Sequence, residues 1–355
     1  MFGLLRCSLF LLFLLEQSYV QAELNLEMNE FSTVCQQGCE FVDLNKAIIA
    51  TRSGGTIYIK AEELHTCGVI NKPLKILGEL RGSIMPHLNG SSCLGKGALV
   101  IEADDVEISN LEISNINVND RNGACIRIGP NATKINLKNI YCHDSQNGIL
   151  GSFGDGHLWV ADSTFERCGF GGQAHGSYVQ MTGNAVFKNV QFLSSKGQGH
   201  SLKISAKTTL IEDSFIAALN GHNSRAIDLF GGGELVVSNS IIQQGPKSDN
   251  TDMFGLAMEQ GRLQKGNHSV LLENSWLIFD NQTKRLFDLL VDSRGKLFRG
   301  NKLGSITVRN NKIVGMESVN MDGVVFEGND VYKTRKEASL LEYDGTLNSF
   351  PVIFK

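Results

Sequence analysis

Short segments of alternating apolar and polar residues recur at a constant spacing in the middle of the chain. The three clearest segments are HGSYVQ, HSLKIS and RAIDLF, which begin at His175, His200 and Arg225, a step of 25 residues each time. Weaker copies begin at Asn122 and Asn147. A constant period with apolar residues on alternate positions is typical of a fold built from stacked repeats. Residues one period apart are then expected to be neighbours in space.

A second marker is an Asn or Asp that follows an apolar residue by two positions, once in each repeat. It occurs at Asn110, Asn139, Asp162, Asn189, Asp213, Asn239, Asn274 and Asn310. Asn and Asp tolerate left-handed backbone angles and hydrogen-bond to nearby groups. We interpret these residues as structural corners whose side chains can form a ladder, not as catalytic groups. The pattern predicts a solenoid of parallel strands with about eight to ten coils.

The amino-terminal region has a different pattern. Residues 41–51 (FVDLNKAIIAT) place apolar residues at helical spacing, with Asp43 in the first turn, where a carboxylate suits the helix dipole. The glycines of Ser53-Gly-Gly55 end this helix, and strand-like segments follow at 56–59 and 74–77.

This order resembles the amino-terminal cap of the pectate-lyase-like right-handed parallel β-helix superfamily. The resemblance implies an all-β fold, a single-stranded right-handed parallel β-helix (solenoid) with an N-terminal helix cap. Such a cap covers the open first edge of the stacked sheet.

The first residues are typical of a secretory signal. Arg6 supplies a positive start, residues 9–15 are apolar, and Val20-Gln-Ala22 fits the small-residue cleavage rule. The apolar run is shorter than the roughly 20 residues that a membrane-spanning helix needs. We therefore expect a secreted or periplasmic protein that has no membrane contact after removal of the signal.

The predicted organisation has four parts: a signal peptide at 1–22, an N-terminal cap with the first coils at 23–98, the parallel β-helix at 99–330 and a C-terminal cap at 331–355. The coils after Asn239 are longer than those before it. We expect inserted loops there, at 244–260 and 281–300.

Charge and composition exclude some classes of function. The net charge is −4, and no basic stripe of the kind that binds nucleic acid is present. No dense acidic cluster suggests calcium, although calcium assists many related lyases. Cys35 and Cys39 lack a second ligand pair for zinc. No cofactor or metal site is therefore predicted, and the protein is expected to be a monomer.

Seven cysteines follow the predicted signal, so at least one thiol is expected to be unpaired. Export permits disulfides, and the candidate pairs are Cys67 with Cys93 or Cys142 with Cys168. For Cys125 we favour a buried small apolar side chain.

The candidate site follows from the strand alternation. If Leu202 and Ile227 point inward, Tyr178, Lys203 and Asp228 point outward from three adjacent coils. The remaining candidates are His175, His200 and Arg225 at the corner, small Ser201 beside the column, and Gln180 and Glu259. Together they are expected to form a shallow trough, with Asp228, Ser201, Gln180 and Glu259 binding substrate.

A trough with cations, a phenol and imidazoles suits an extended acidic polysaccharide. The superfamily resemblance implies the same substrate class, since many members cleave or epimerise uronate polymers. Abstraction of the C5 proton of a uronate needs a cation on the carboxylate, a base and an acid for the leaving oxygen. The hypothesis is that Lys203 or Tyr178 is the base, that Arg225 holds the carboxylate, and that a histidine, His200 or His175, donates the proton. A Lys and an Arg one coil apart resemble the pair of alginate and dermatan lyases.

Other motifs of the superfamily are missing. Neither Arg-x-Pro-x-x-Arg nor Asp-Pro-His occurs, and Gly199-His200-Ser201 lacks the paired aspartates and the Arg-Ile-Lys of polygalacturonases. Two other classes stay open. A glycoside hydrolase would use Asp228 with Asp252 or Glu259. A non-enzymatic glycan-binding or surface protein would use the same trough without turnover.

Overall fold

The computed structural model describes residues 28–281, 285–289 and 303–352, where the chain winds into a stack of coils with parallel strand ladders. The predicted signal peptide at 1–22 lies outside these residues. Each complete coil contributes one strand to each of three faces, and apolar side chains from all three fill the interior. The predicted parallel β-helix is thus confirmed.

One face is a separate sheet, which we call the front sheet. It has nine strands in the part of the chain that the structure describes. They are β4 (Gly68–Ile70), β7 (Gly97–Ile101), β9 (Ala124–Ile128), β11 (Asn147–Ser152), β14 (Ser177–Gln180), β17 (Leu202–Ser205), β20 (Ile227–Leu229), β23 (Asp252–Leu256) and β26 (Arg285–Leu289).

The other two faces meet at a bend and form one larger sheet. The first side face contains β1 (Asn29–Val34), β2 (Thr51–Ile59), β5 (Leu74–Gly78), the first halves of β8 (Val106–Ser114) and β10 (Lys134–His143), β12 (His157–Ala161), β15 (Asn184–Lys188), β18 (Thr208–Glu212), β21 (Glu234–Ser238), β24 (His268–Glu273), β27 (Leu303–Arg309) and β29 (Val324–Glu327). The second side face contains β3 (Glu63–Leu64), β6 (His87–Asn89), the second halves of β8 and β10, β13 (Thr164–Glu166), β16 (Gln191–Leu193), β19 (Phe215–Ala217), β22 (Ile241–Gln244), β25 (Trp276–Phe279), β28 (Lys312–Val314) and β30 (Asp330–Tyr332).

The bend between the two side faces lies at the predicted Asn and Asp corners. All eight residues have positive φ, from 49° at Asn239 to 60° at Asn110. Their side chains join neighbouring coils: the Asn139 amide donates to Asn110 Oδ1 at 2.8 Å, and Asn189 donates to Asp162 Oδ1 at 2.8 Å. The structural interpretation of these residues is confirmed.

A short helix, α1 (Leu44–Ala50), covers the first coil as predicted, although it is shorter than the expected segment at 41–51. Asp43 is its N-cap and accepts from the backbone N–H of Lys46 at 2.9 Å. Leu44 and Ile48 pack beside Gly68, where an added Cβ would lie 2.6 Å from Ile48 Cδ1. Strand β1, which was not predicted, precedes α1 and pairs with β2.

The carboxyl-terminal segment was expected to cover the last coil, but its described part lies along the outer side of the second side face. Phe350 packs on Phe215 with ring centroids 5.0 Å apart, and Arg335 pairs with Asp280 at 2.7 Å. The reason is that this face carries apolar side chains on its outside, including Leu193 and Ile241, which need a cover.

The expected inserted loops are found in part. The coil after β22 has loops on both sides of β23, and the second of them extends beyond the predicted segment at 244–260. The predicted loop at 281–300 contains β26 and otherwise lies outside the described residues. No helix in the described part of the chain has the length and apolar character that crossing a membrane requires.

The disulfides confirm one expected pair and correct another. Cys67–Cys93 is formed, and so are Cys35–Cys39 and Cys125–Cys142. The prediction of Cys142–Cys168 was therefore wrong, as was that of an unpaired Cys125. Cys168 is the buried free thiol. Its Sγ lies 3.8 Å from Cys142 Sγ, so coil stacking brings three sulfurs together and spacing alone could not choose between them.

Replacement of Asn139 by Ala is expected to cost about 2 kcal/mol of unfolding free energy, because the left-handed backbone strains a Cβ and the ladder hydrogen bond is lost. Asn139→Gly is the matched control, which loses only the hydrogen bond and relieves the strain. Urea unfolding measures both values. Equal or greater stability of the Ala variant would contradict the left-handed corner.

Candidate functional site

The three predicted site residues on adjacent coils do form one column on the front sheet. Tyr178 pairs with Lys203, Lys203 with Asp228, and Asp228 with Gly255 of the next coil. Tyr178 and Lys203 are half-buried, whereas Asp228 is 3% exposed. The predicted register is correct, but Asp228 is much less accessible than the alternation suggests.

An inserted segment lies over part of the column. Residues 258–265, which we call the covering loop, follow β23 and include a 3₁₀ turn at Gln260–Arg262. Glu259 Oε1 lies 2.7 Å from Lys203 Nζ, and the Arg262 guanidinium donates to the Tyr178 hydroxyl. The predicted shallow trough is therefore covered where Tyr178 and Lys203 lie.

Two aromatic rings contact Lys203, and a side-chain amide anchors the covering loop. Lys203 Nζ lies 4.9 Å from the ring centroid of Tyr178 and 5.3 Å from that of Phe230. Gln264 anchors the covering loop, since its Nε2 donates to Met181 O at 2.6 Å and to Ser205 Oγ at 2.9 Å. The loop is thus fixed to the two strands that carry Tyr178 and Lys203.

His175 and His200 belong to a buried hydrogen-bond ladder at the corner of the front sheet. The backbone N–H of His175 donates to Asn147 Oδ1 at 2.8 Å. In the same way the backbone N–H of His200 donates to His175 Nδ1 at 3.0 Å, and that of Arg225 donates to His200 Nδ1 at 3.1 Å. The two imidazole rings stack with centroids 5.1 Å apart. Because each Nδ1 accepts, a neutral ring carries its proton on Nε2.

Burial keeps both imidazoles neutral. It lowers the pKa of His175 to about 3, with a smaller effect of nearby Lys203. It also moves the pKa of His200 well below its ordinary value. His200 Nε2 lies 3.2 Å from Asp228 Oδ2, so both of its nitrogens have protein partners. The two rings, predicted to line an open wall, are instead 1% and 7% exposed.

The carboxyl group of Asp228 lies in a tightly filled position. Burial raises its pKa to about 6, and the positive charges of Arg225 and Lys203 oppose that shift. Its Oδ1 has no hydrogen-bond partner among the described residues. An added Cβ at Gly255 would lie 2.7 Å from this oxygen and 3.0 Å from Arg225 Nε. A glycine is therefore needed opposite Asp228.

Arg225 forms an ion pair with Asp252, which is 3% exposed. Its side chain is therefore bound to a buried carboxylate of the next coil, beside Gly255 and Asp228. Ser201 was predicted to lie on the surface, but it is completely buried. Alternation alone missed this because residues of the neighbouring coils pack against both positions.

A cavity of about 580 Å³ lies beside the column, between the covering loop and the front sheet. Gln180, a predicted substrate-binding residue, lines it together with Phe153, Lys207, Arg262 and Lys265. Sequence reasoning missed the three cations. The only sequence signal for two of them was the basic run GRLQK in the inserted segment.

The chain matches no family model and no curated protein. Among solved structures, pectin methylesterase PemA from Erwinia chrysanthemi is similar, with 12% sequence identity and a TM-score of 0.48 over 90% of this chain and 97% of that chain. A pectin methylesterase in complex with hexasaccharide VII is 12% identical, with a TM-score of 0.49 over 90% and 97% of the two chains. A mutant pectin methylesterase in complex with hexasaccharide IV is 12% identical, with a TM-score of 0.45 over 90% and 98%.

The histidine ladder predicts a pH-dependent stability. Between the folded pKa of His175, about 3, and its ordinary value of 6.5, the unfolded chain binds more protons than the folded chain. The contribution of His175 to the unfolding free energy is therefore fully present above pH 6.5 and is lost as the pH falls towards about 3.

His175→Asn keeps an acceptor in the ladder, as Asn147 does one coil earlier, but it removes the titrating ring. We expect the unfolding free energy of the variant to fall less steeply with decreasing pH, by about 1 kcal/mol per pH unit. Urea unfolding across this interval measures it. The exposed histidine variant His157→Asn serves as the control and should follow the unchanged protein. An unaltered slope in His175→Asn would refute the buried neutral state.

Proposed function

We propose that the front-sheet site binds an acidic polysaccharide and acts as a lyase or C5-epimerase on its uronate residues. The observation that carries the proposal is the position of the Tyr178 phenol. Its hydroxyl accepts from Arg262 and its ring contacts Lys203, beside a cavity that is lined by further cations. The proposal includes export after removal of the predicted signal peptide and action as a monomer.

Binding is assigned to the cavity. Lys207, Arg262 and Lys265 offer positive charge to uronate carboxylates, and Gln180 offers an amide for sugar hydroxyls. A protein with a net charge of −4 thus places several cations around one concave surface. Such a surface raises the local concentration of an anionic polymer. The role of carboxylate clamp, predicted for Arg225, passes to Arg262 because Arg225 is paired with buried Asp252.

Proton transfer is assigned to Tyr178. Lys203 Nζ is bound to Glu259, and the imidazoles of His175 and His200 are buried, so the phenol oxygen is the accessible group of the predicted set. Arg262, which donates to that oxygen, stabilises the negative charge that develops there during proton transfer. The phenol oxygen then takes the C5 proton, the C4–O bond breaks as the C4–C5 double bond forms, and the leaving oxygen takes up the proton. Delivery of a proton to the opposite face of C5, without cleavage of the C4–O bond, gives epimerisation instead.

The alternative classes are less well supported. A hydrolase with two carboxylates would need both on an open groove, but Asp228 and Asp252 are each 3% exposed. The proteins of similar chain trace are pectin methylesterases, so ester hydrolysis is a competing outcome of any assay. A purely glycan-binding protein would use the same cations without proton transfer.

Replacement Tyr178→Phe is expected to lower kcat on the true substrate by about 10²–10⁴, since it removes the proton-transfer oxygen and keeps the ring. Tyr141→Phe is the matched control, because Tyr141 lies on the second side face and bonds to Glu166. Arg262→Gln is expected to raise KM. The assay follows the ultraviolet absorbance of unsaturated uronate products on polygalacturonate, alginate and glycosaminoglycans.

The other outcomes are distinguishable in the same samples. Reducing ends without new absorbance would identify a hydrolase, and methanol release from methyl-esterified pectin would identify an esterase. Inversion at C5 without chain cleavage would identify an epimerase. Binding to a polymer that is unchanged in Tyr178→Phe, with no turnover, would leave only a glycan-binding protein.

A further inference from the structure

A second cluster of polar side chains lies on the second side face, away from the front sheet. His87 is directly opposite Glu112 of the next coil. His143 lies on the coil after that, two positions beyond Tyr141, which is the register partner of Glu112. Residues two apart on a strand share a face, so all three side chains point outward together. One ligand atom from each lies within 4.8 Å of the other two.

Both ring nitrogens of His143 face carboxylate oxygens. Its Nδ1 lies 2.7 Å from Asp144 Oδ2, and its Nε2 lies 3.1 Å from Glu112 Oε1. A neutral imidazole has one N–H, so it can donate to only one of these carboxylates. Arg167 fixes Asp144 with two hydrogen bonds of 2.9 and 2.8 Å, so Asp144 is a well-positioned acceptor for the Nδ1 proton. His143 Nε2 then faces the Glu112 carboxylate oxygen at 3.1 Å.

A metal ion between His143 Nε2, Glu112 Oε1 and His87 Nε2 would bind all three atoms. Zinc bound tetrahedrally at about 2.1 Å holds neighbouring donor atoms about 3.4 Å apart. The observed separations bracket this value: 3.1 Å from His143 Nε2 to Glu112 Oε1, and 3.8 Å from His87 Nε2 to the same oxygen. His87 Nε2 also lies 2.7 Å from Ser114 Oγ, a contact that the ion would replace.

The carboxylates beside His87 and His143 are of the kind that orient metal-binding imidazoles. Metal-binding histidines usually donate their second N–H to a carboxylate or carbonyl, which orients the ring. Asp144 is placed to do this for His143, and Glu63 Oε2 lies 3.8 Å from His87 Nδ1. The side chains of His87 and His143 are 18% and 15% exposed, and that of Glu112 is 31% exposed. The cluster is thus partly shielded but open to an ion from solvent.

We propose that His87, Glu112 and His143 bind a divalent zinc ion, with a water molecule in the fourth position and with Asp144 orienting His143. The ion would join three successive coils near the amino-terminal end of the stack. This site is independent of the front-sheet site and of the proposed function.

The test is calorimetric titration of the full-length chain with zinc chloride after treatment with EDTA. One equivalent is expected to bind, and His143→Gln and Glu112→Gln are each expected to raise Kd by at least about tenfold. Asp144→Asn, which keeps all three ligands, is expected to raise Kd by about 10- to 100-fold. His157→Gln, an exposed histidine on β12, is the control and should bind zinc unchanged.

A second measurement guards against variants that fold poorly. Circular dichroism in EDTA checks each variant, and zinc should raise Tm in the unchanged protein and in His157→Gln but not in the double variant His87→Gln/His143→Gln. Cobalt should give the visible absorption of a tetrahedral site in the same two proteins. Absence of stoichiometric binding, or equal Kd in His143→Gln, would overturn the proposal and leave His143 as a hydrogen-bonding side chain between Glu112 and Asp144.

Discussion

The structure depends on the register between successive coils. In a parallel stack the backbone N–H and C=O groups of one strand are satisfied by the strands above and below, so every coil must repeat the alignment of its neighbour. The left-handed Asn and Asp corners make this repetition possible, because they bend each coil at the same point. Once the register is set, side chains one repeat apart become neighbours, and columns of similar chemistry arise on each face.

The register between coils also explains how many polar groups can be buried in a stable fold. Buried polar groups need partners, and the adjacent coil supplies one for many of them. Asn147, His175 and His200 use this arrangement at the front sheet, and Ser214, Ser240 and Ser275 form a similar ladder between the side faces. Charged groups follow the same logic: Arg225 is neutralised by Asp252 of the next coil.

The chemistry of the front sheet arises where the repeat is interrupted. A regular stack would leave Tyr178 and Lys203 on an open surface, but the longer coil after β22 adds the covering loop above them. That loop brings Glu259 and Arg262 to the column and contributes cations to one wall of the cavity. The second polar cluster, around His143, lies where the repeat is regular, and its residues come from three coils in register.

The sequence by itself determined the stacked architecture, the helix over the first coil, the corner residues and the alignment of Tyr178, Lys203 and Asp228. These follow from periodicity and backbone preference, which are local properties repeated many times. Only the tertiary structure decided which aligned residues are reachable, which of three neighbouring cysteines are paired, and where the carboxyl-terminal segment packs. Those outcomes depend on contacts between segments far apart in the chain, for example Arg262 with Tyr178 or Phe350 with Phe215, and such contacts leave no periodic signal.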